Sequence, residues 1–250
     1  MNANHPYFEL EPREVWRHFA ALNEIARPSG YEAGARTYVQ RVAQEAGATW
    51  KTDARGNIVV LVPPRGSDSA AHNDAPTVAI LSHLDMVCEK RPNVEHDFFH
   101  DPIIPRHDGD LIYATGTTLG ADNGIGAAMA LAVLTSSEIA HGPLELLFTV
   151  EEETGLYGAL ELDAALLRAS MLINLDSEDP EELTIGCAGG AGIQFLLDIP
   201  TEAAPENWPL LTLNVSGLKG GHSGVQIHEP LANAIKLLCA VLGKCVAAGI

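Results

Sequence analysis

Acidic residues and one histidine stand in this 250-residue sequence where apolar runs end. His83 and Asp85 directly follow such a run, and because they are two positions apart they point to the same side of an extended chain. The histidine could bind a metal ion through one ring nitrogen while the aspartate accepts a hydrogen bond from the other. Alone, the pair more often reflects an exposed histidine beside a turn aspartate, so a metal site requires further ligands.

Asp122 lies among small residues in the stretch GTTLGADNGIG, where a helical segment begins. An aspartate at this point commonly caps a helix. Gly120, Gly124 and Gly126 remove side-chain bulk around its carboxylate, which would let two cations approach, but tight packing of the helix on a sheet would favour the same glycines. The pattern therefore indicates either a bridging metal ligand or a cap.

Further carboxylates follow two more apolar runs: Glu151, Glu152 and Glu153 after one, and Asp176 after the other. Acidic turns of this kind are usually solvated surface. At the edge of a sheet, however, neighbouring carboxylates resist joint ionisation, and cations relieve their repulsion. One glutamate could bind metal while its neighbour acts as a general base on water. Histidine and carboxylate donors together favour Zn²⁺, with Mn²⁺ or Co²⁺ as substitutes.

Helix-like and strand-like segments alternate through the first part of the chain. The alternation predicts an α/β fold with a central, largely parallel sheet flanked by helices. Ligands bind beyond the carboxyl ends of strands in such sheets, so the acidic residues and His83 should meet there. The predicted helices are 11–26, 32–45, 124–134 and 158–168, the predicted strands are 57–62, 77–82, 144–150 and 171–175, and the predicted polar loops are 65–76 and 88–110.

The sequence pattern changes near residue 186, which predicts a first domain over 1–186 and a second over 187–250. The second domain is expected to contain strands at 193–199 and 211–215, a glycine-rich stretch at 217–224 and a helix over 230–246. The apolar face predicted to point inward on that helix consists of Leu231, Ala234, Ile235, Leu238 and Leu242. Because two strands and a helix cannot bury both faces of a sheet, we expect this domain to be incomplete.

Charge and composition exclude several classes of partner. Fifteen Lys and Arg against 33 Asp and Glu give a net charge of −18, which repels nucleic acid and anionic membranes. The N-terminal stretch lacks the basic and apolar regions of a secretory signal, and the four cysteines form no CxxC pair. These features predict a cytoplasmic protein with reduced thiols.

Five motifs, in order SHLDMV, GTTLGADNGIG, EEETGLYGA, INLDSE and GGHSG, resemble those of the M20 metallopeptidases. Within that family the likeness is greatest to the aminoacyl-histidine dipeptidases. The resemblance implies a zinc-peptidase-like catalytic domain with a mixed, mostly parallel sheet, followed by the start of an α+β lid or dimerisation domain. It also implies two-zinc hydrolysis of dipeptides, including Xaa-His dipeptides such as carnosine, by a protein that forms homodimers through the lid.

The resemblance also assigns a role to each motif residue. The metal ligands it implies are His83 and Asp176 for the first zinc, Asp122 as the bridge and Glu153 for the second zinc. The catalytic residues it implies are Asp85 orienting His83, Glu152 as general base and His222 polarising the scissile carbonyl. The family's second zinc takes a further histidine from a segment beyond the length of this chain, and His228, just before Pro230, is a poor substitute. We therefore expect weaker binding of the second metal.

Two other functions stay open from the sequence. A metal-binding but noncatalytic fragment would agree with the missing histidine, although such a protein has no need of Glu152. An M20 aminoacylase or related amidohydrolase would carry the same metal motifs. Assays on a His-containing dipeptide and on an N-acyl amino acid would distinguish the dipeptidase, the noncatalytic fragment and the aminoacylase.

Overall fold

A computed structural model describes residues 10–66, 75–177, 181–187, 189, 192–209, 211–221 and 226–249. The chain divides into two compact units, Met1–Pro180 and Glu181–Ile250. The domain boundary expected after residue 186 lies slightly further along the chain and stays a prediction.

A five-stranded sheet forms the centre of the first unit. The strands of this unit are β1 (Thr49–Thr52), β2 (Ile58–Val62), β3 (Val78–His83), β4 (Pro105–Asp108), β5 (Leu111–Ala114), β6 (Leu144–Thr149) and β7 (Met171–Asn174). The order in the central sheet is β1-β2-β6-β3-β7, and β4 pairs with β5 in a separate hairpin. β3 runs parallel to both β6 and β7, whereas β2 is antiparallel to its two neighbours. The carboxyl ends of β6, β3 and β7 therefore lie at one edge of the sheet.

Helices pack around this sheet, and the longer ones bury apolar side chains in the core. They are α1 (Arg13–Asn23), α2 (Ala33–Glu45), α3 (Ala121–Thr135) and the short α4 (Tyr157–Leu160). Alanine and leucine side chains of α3, including Ala127 and Leu131, are fully buried in a core that also holds Ile58, Val60 and Phe148. The predicted mixed α/β fold with a central sheet flanked by helices is confirmed.

Two local predictions in the first unit were wrong, and the strands β1 and β5 were not predicted. The helix expected over 158–168 is interrupted: α4 ends at Leu160 and only a 3₁₀ turn, Ala164–Leu166, follows. The backbone N–H groups of Arg168 and Ala169 instead donate to the buried carboxylate of Glu145, which takes them out of any helix. The loop expected over 88–110 contains β4, and the strand β1 was missed because its residues, TWKT, are mostly exposed and lack apolar alternation.

Buried His18 links three helices of the first unit. Its Nδ1 lies 2.7 Å from the Tyr38 hydroxyl on α2, and its Nε2 lies 3.1 Å from Thr135 Oγ1 on α3. Because Thr135 already donates to Leu131 O, it accepts from Nε2–H, and Tyr38 then donates to Nδ1. This network uses the neutral imidazole, and burial lowers the pKa of His18 to about 4.

We expect His18 to make the first unit acid-sensitive. Its pKa is lower in the folded chain than the ordinary 6.5, so the unfolded chain binds the extra proton between pH 6.5 and 4. The stability it contributes is present above pH 6.5 and falls by roughly 3 kcal/mol as the pH drops to 4. Urea unfolding at both pH values should show this loss in the wild type and a smaller loss in His18→Gln. Exposed His107→Gln is the control, and an identical pH dependence in wild type and His18→Gln would contradict the prediction.

The second unit contains one helix in its described part, α5 (Ala234–Ala247), where a helix was predicted. Its start is capped by Asn233, whose side chain accepts from Lys236 N–H. The predicted inward face was wrong: Ile235 is 72% exposed and Leu242 48%. The described residues over 193–199 and 211–215 form no strand, so those two predictions were also wrong. An alternating apolar pattern forms a strand only where a hydrogen-bonding edge is available to pair with it.

Among the described residues, no helix combines the length and apolar character needed to cross a bilayer.

Candidate metal centre

The sheet topology brings the acidic motifs to one place. His83 is the last residue of β3, Glu152 and Glu153 follow β6, and Asp176 follows β7. Because β3 lies between β6 and β7, the histidine stands between the two sets of carboxylates. Asp122 reaches the same edge from the start of α3, where its backbone is non-helical (φ −78°, ψ 114°) and the following peptide bond is cis.

Distances within this cluster are short. His83 Nε2 lies 3.0 Å from Asp122 Oδ1, 3.8 Å from Asp176 Oδ1 and 3.9 Å from Glu152 Oε2. Two sets of donor atoms, each spanning no more than 4.8 Å, could hold a metal ion: His83 with Asp122 and Asp176, and His83 with Glu152 and Glu153. The structure thus brings together the four residues predicted as metal ligands and the one predicted as general base.

Asp85 lies behind His83 and is completely buried. Its Oδ1 accepts from Glu152 N–H at 3.0 Å, and its Oδ2 accepts from Ser29 Oγ at 2.7 Å and from Glu153 N–H at 3.1 Å. His83 Nδ1 is 3.2 Å from Asp85 Oδ1, close enough for attraction although outside good hydrogen-bond geometry. One carboxylate therefore ties the histidine to the backbone of the acidic segment.

Glu151, the first of the three consecutive glutamates, is directed to a different partner. Its carboxylate lies 2.7 Å from Arg55, whose guanidinium also stacks 5.5 Å from the centre of the Tyr157 ring. Its backbone has a positive φ of 49°, and its N–H donates to Glu32. The chain turns sharply here, which explains why only the second and third glutamates join the cluster.

Electrostatics show an excess of negative charge in the cluster. Burial and the neighbouring charge of Asp122 raise the pKa of Glu153 to about 7. Burial also raises the pKa of Glu152 and of Asp176. Burial lowers the pKa of His83, but its hydrogen bond to Asp122 and the adjacent carboxylates of Asp85 and Asp176 outweigh this and raise it to about 10. These carboxylates repel one another, and the two donor sets found among the described residues share one histidine, so they fit divalent cations.

Sequence reasoning missed several residues that support the cluster. Asn123 Nδ2 donates to Asp176 Oδ1 at 2.7 Å, which fixes one carboxylate oxygen. Glu32 Oε1 accepts from Gly30 N–H and Glu151 N–H, both at 2.9 Å, and so joins the loop before α2 to the acidic segment. Asn123 follows Asp122 directly and could have been suspected. Glu32 could not, because it had been placed inside a predicted helix.

Two other histidines were considered from the sequence. His222 lies outside the described residues. His228 belongs to the second unit and is exposed there.

The fold and the cluster together define an α/β protein with a candidate metal centre at the carboxyl ends of its strands. The chain belongs to peptidase family M20/M25/M40, whose family model matches residues 79–244.

Individual relatives agree with this assignment. The chain is 44% identical over 234 residues to the cytosol non-specific dipeptidase of Escherichia coli (strain K12), covering 94% of this chain and 47% of that protein. Among solved structures, it is similar to aminoacylhistidine dipeptidase from Vibrio alginolyticus (TM-score 0.71, 37% identity, 96% of this chain and 48% of that one). A tripeptidase from Staphylococcus aureus matches less extensively (TM-score 0.54, 26% identity, 66% of this chain and 43% of that one). The chain spans about half the length of the E. coli relative.

Proposed function

We propose that this chain carries the metal centre of a dipeptidase that hydrolyses dipeptides, including Xaa-His dipeptides such as carnosine. One observation carries the proposal: carboxylate oxygens of Asp122, Glu152 and Asp176 lie within 3.9 Å of His83 Nε2 at the carboxyl ends of parallel strands. The printed names of the E. coli and Vibrio relatives support the substrate class.

Two zinc ions are the proposed cofactors, with Mn²⁺ or Co²⁺ as substitutes. His83, Asp122 and Asp176 would hold the first ion, and Asp122 and Glu153 the second. When bound, the ions would lower the pKa of a water molecule and polarise the substrate carbonyl. The first position has the histidine and two carboxylates, so it should bind more tightly than the second.

Glu152 is the proposed general base. Its carboxylate lies within 3.9 Å of His83 Nε2 and is one-quarter exposed, so it is within reach of water at the cluster. Burial raises its pKa, which strengthens its affinity for a proton. Glu152 would take the proton from the attacking water and deliver it to the leaving amine.

Asp85 is the proposed orienting residue for His83. Hydrogen bonds from Ser29 and from two backbone N–H groups fix both of its oxygens. Burial alone would raise the pKa of Asp85, but the adjacent His83 and the hydrogen bonds from Ser29 and Glu152 N–H lower it to about 2, so the group stays ionised at neutral pH. A fixed negative charge beside Nδ1 favours the tautomer that leaves Nε2 free for a metal ion.

Three further parts of the proposal draw on the family resemblance. His222 would help to stabilise the oxyanion at the scissile carbonyl. The region after residue 186 would form the lid and the homodimer contact. The protein would act in the cytoplasm, in agreement with the name of the E. coli relative.

A parallel assay tests this function. The 250-residue chain, loaded with zinc, is incubated with carnosine, with a second Xaa-His dipeptide and with an N-acetyl amino acid. Release of free histidine without deacylation supports the dipeptidase. Preferential deacylation would indicate the aminoacylase instead, and zinc binding without any hydrolysis would indicate a noncatalytic metal-binding chain.

A further inference from the structure

Arg27 is a buried cation that no catalytic role so far explains. Its side chain is only 1% exposed, although it follows α1 in a loop. Nη1 donates to the main-chain carbonyls of Leu84 (3.0 Å) and Asp85 (2.9 Å), and Nη2 donates to the carbonyl of Gly120. One guanidinium thus binds two segments that are far apart in the sequence.

These two segments carry the opposite sides of the candidate metal centre. Leu84 and Asp85 directly follow His83 at the end of β3, whereas Gly120 precedes Asp122 by two residues. The 3.0 Å contact between His83 Nε2 and Asp122 Oδ1 joins these same segments. A rigid planar fork that holds both backbones will fix the spacing of those two side chains.

Two glycines provide the space that the guanidinium occupies. A Cβ atom on Gly120 would lie 2.5 Å from Arg27 Nη2, and one on Gly124 would lie 2.6 Å from the same nitrogen. Gly120 also adopts a φ of +70°, which side chains rarely tolerate. The small residues around Asp122 therefore accommodate Arg27, which is a more specific role than the general closeness of helix and sheet expected from the sequence.

Burying a charged side chain costs free energy unless nearby opposite charges and hydrogen bonds compensate for the lost hydration. Burial lowers the pKa of Arg27 to about 10, so the group stays protonated at neutral pH. The nearby negative charges of Asp85, Asp122 and Glu153 favour this charged form. Arg27 thus places a permanent positive charge behind the acidic cluster.

We propose that Arg27 is a positioning residue that sets the separation of His83 and Asp122 and thereby the metal affinity of the site. The inference rests on the proposed function for its metal-binding consequence. Its geometric part, the coupling of residues 84–86 to residues 119–123, can be measured without metal.

Arg27→Lys is the principal variant, because it keeps the positive charge and removes the fork. Arg65→Lys is the matched control: Arg65 also donates to three main-chain carbonyls, those of Val133, Leu134 and Ser136, but at the far end of α3. Gly124→Ala is a second variant, since it displaces the guanidinium without removing it. Each is compared with the wild-type chain by zinc titration, steady-state kinetics on carnosine and backbone hydrogen exchange of the metal-free form.

We expect Arg27→Lys to weaken zinc binding by about 10- to 100-fold and to lower kcat with little change in KM. Hydrogen exchange should rise together in segments 84–86 and 119–123. Arg65→Lys should leave zinc affinity within about twofold of wild type, even if its melting temperature falls as far as that of Arg27→Lys. Gly124→Ala should shift zinc affinity in the same direction as Arg27→Lys, which keeps the test decisive if the lysine variant does not fold.

Unchanged zinc affinity in both Arg27→Lys and Gly124→Ala, or equal losses in Arg65→Lys, would overturn the inference. Failure of the proposed function looks different, because the wild-type chain itself would then bind no zinc and cleave no dipeptide. In that case a joint rise of hydrogen exchange in segments 84–86 and 119–123 of the metal-free Arg27→Lys chain would still support the geometric part. A rise in only one segment, or in neither, would reject it.

Discussion

Replacing Glu152 by glutamine should slow dipeptide hydrolysis by about 10²- to 10⁴-fold while the bound zinc content stays unchanged. Glutamine has nearly the same shape, and the backbone N–H of residue 152 can still donate to Asp85. What is lost is the basic oxygen that takes a proton from water. Steady-state kinetics on carnosine and metal analysis of the same preparation measure the two quantities.

Glu151→Gln is the matched control for that experiment. It removes one carboxylate from the same acidic run, but the one that pairs with Arg55 at 2.7 Å and stands outside the donor sets. We expect its kcat to remain within about threefold of wild type, as for a partly exposed ion pair of small energetic value. Equal losses in the two variants would show that the acidic run acts through its total charge and that Glu152 is no base.

Replacing His83 by glutamine should remove zinc binding altogether or weaken it by at least about 100-fold, and hydrolysis should disappear with it. The reason is that both donor sets found in the described part of the chain include this one histidine, while the proposed second position has only the carboxylates of Asp122 and Glu153. Without it, only mutually repelling carboxylates would face a cation. Zinc titration by calorimetry and metal analysis after dialysis provide the measurement.

His100→Gln is the control for the histidine experiment. His100 also contacts a carboxylate, at 2.7 Å from Asp97, but the pair is exposed on a loop. Because His100 belongs to neither donor set, its replacement should change neither zinc affinity nor hydrolysis. Tight zinc binding by His83→Gln would place the metal elsewhere and remove the basis of the proposed function.

The location of the candidate site could be predicted because it depends on a few rules that the sequence displays. Apolar runs ended at His83, at the glutamates and at Asp176, and parallel strands bring such ends to one edge. Which glutamate would join the cluster was implied only by the family resemblance. Its physical cause, the sharp turn at Glu151 and the ion pair with Arg55, appears only in three dimensions.

Residues that act through long-range backbone contacts could not be predicted. Arg27 reaches carbonyls 57 and 93 positions away, and nothing in its local sequence distinguishes it from a surface arginine. The interrupted helix after α4 has a similar cause, since Glu145 captures two N–H groups from a distant part of the chain. Local patterns indicate which faces are apolar, but they do not show which buried polar groups will find each other.

In the second unit, an apolar pattern was visible in the sequence but the predicted strands did not form. Alternating apolar residues over 193–199 predicted a strand, yet the structure forms none there, and Phe195 is 88% and Leu197 82% exposed. The helix α5 formed where expected because its start is capped and its periodicity is local. Strand formation requires a partner, so the same kind of pattern did not produce a sheet.

The central claim is that His83, Asp122 and Asp176 together hold a metal ion. Diffraction from crystals of the 250-residue chain grown with zinc, recorded on both sides of the zinc absorption edge, locates the ion directly. We predict an anomalous peak about 2.0–2.2 Å from His83 Nε2 and from carboxylate oxygens of Asp122 and Asp176. A structure with zinc bound only at other residues, or with no anomalous peak in this cluster, would contradict the account.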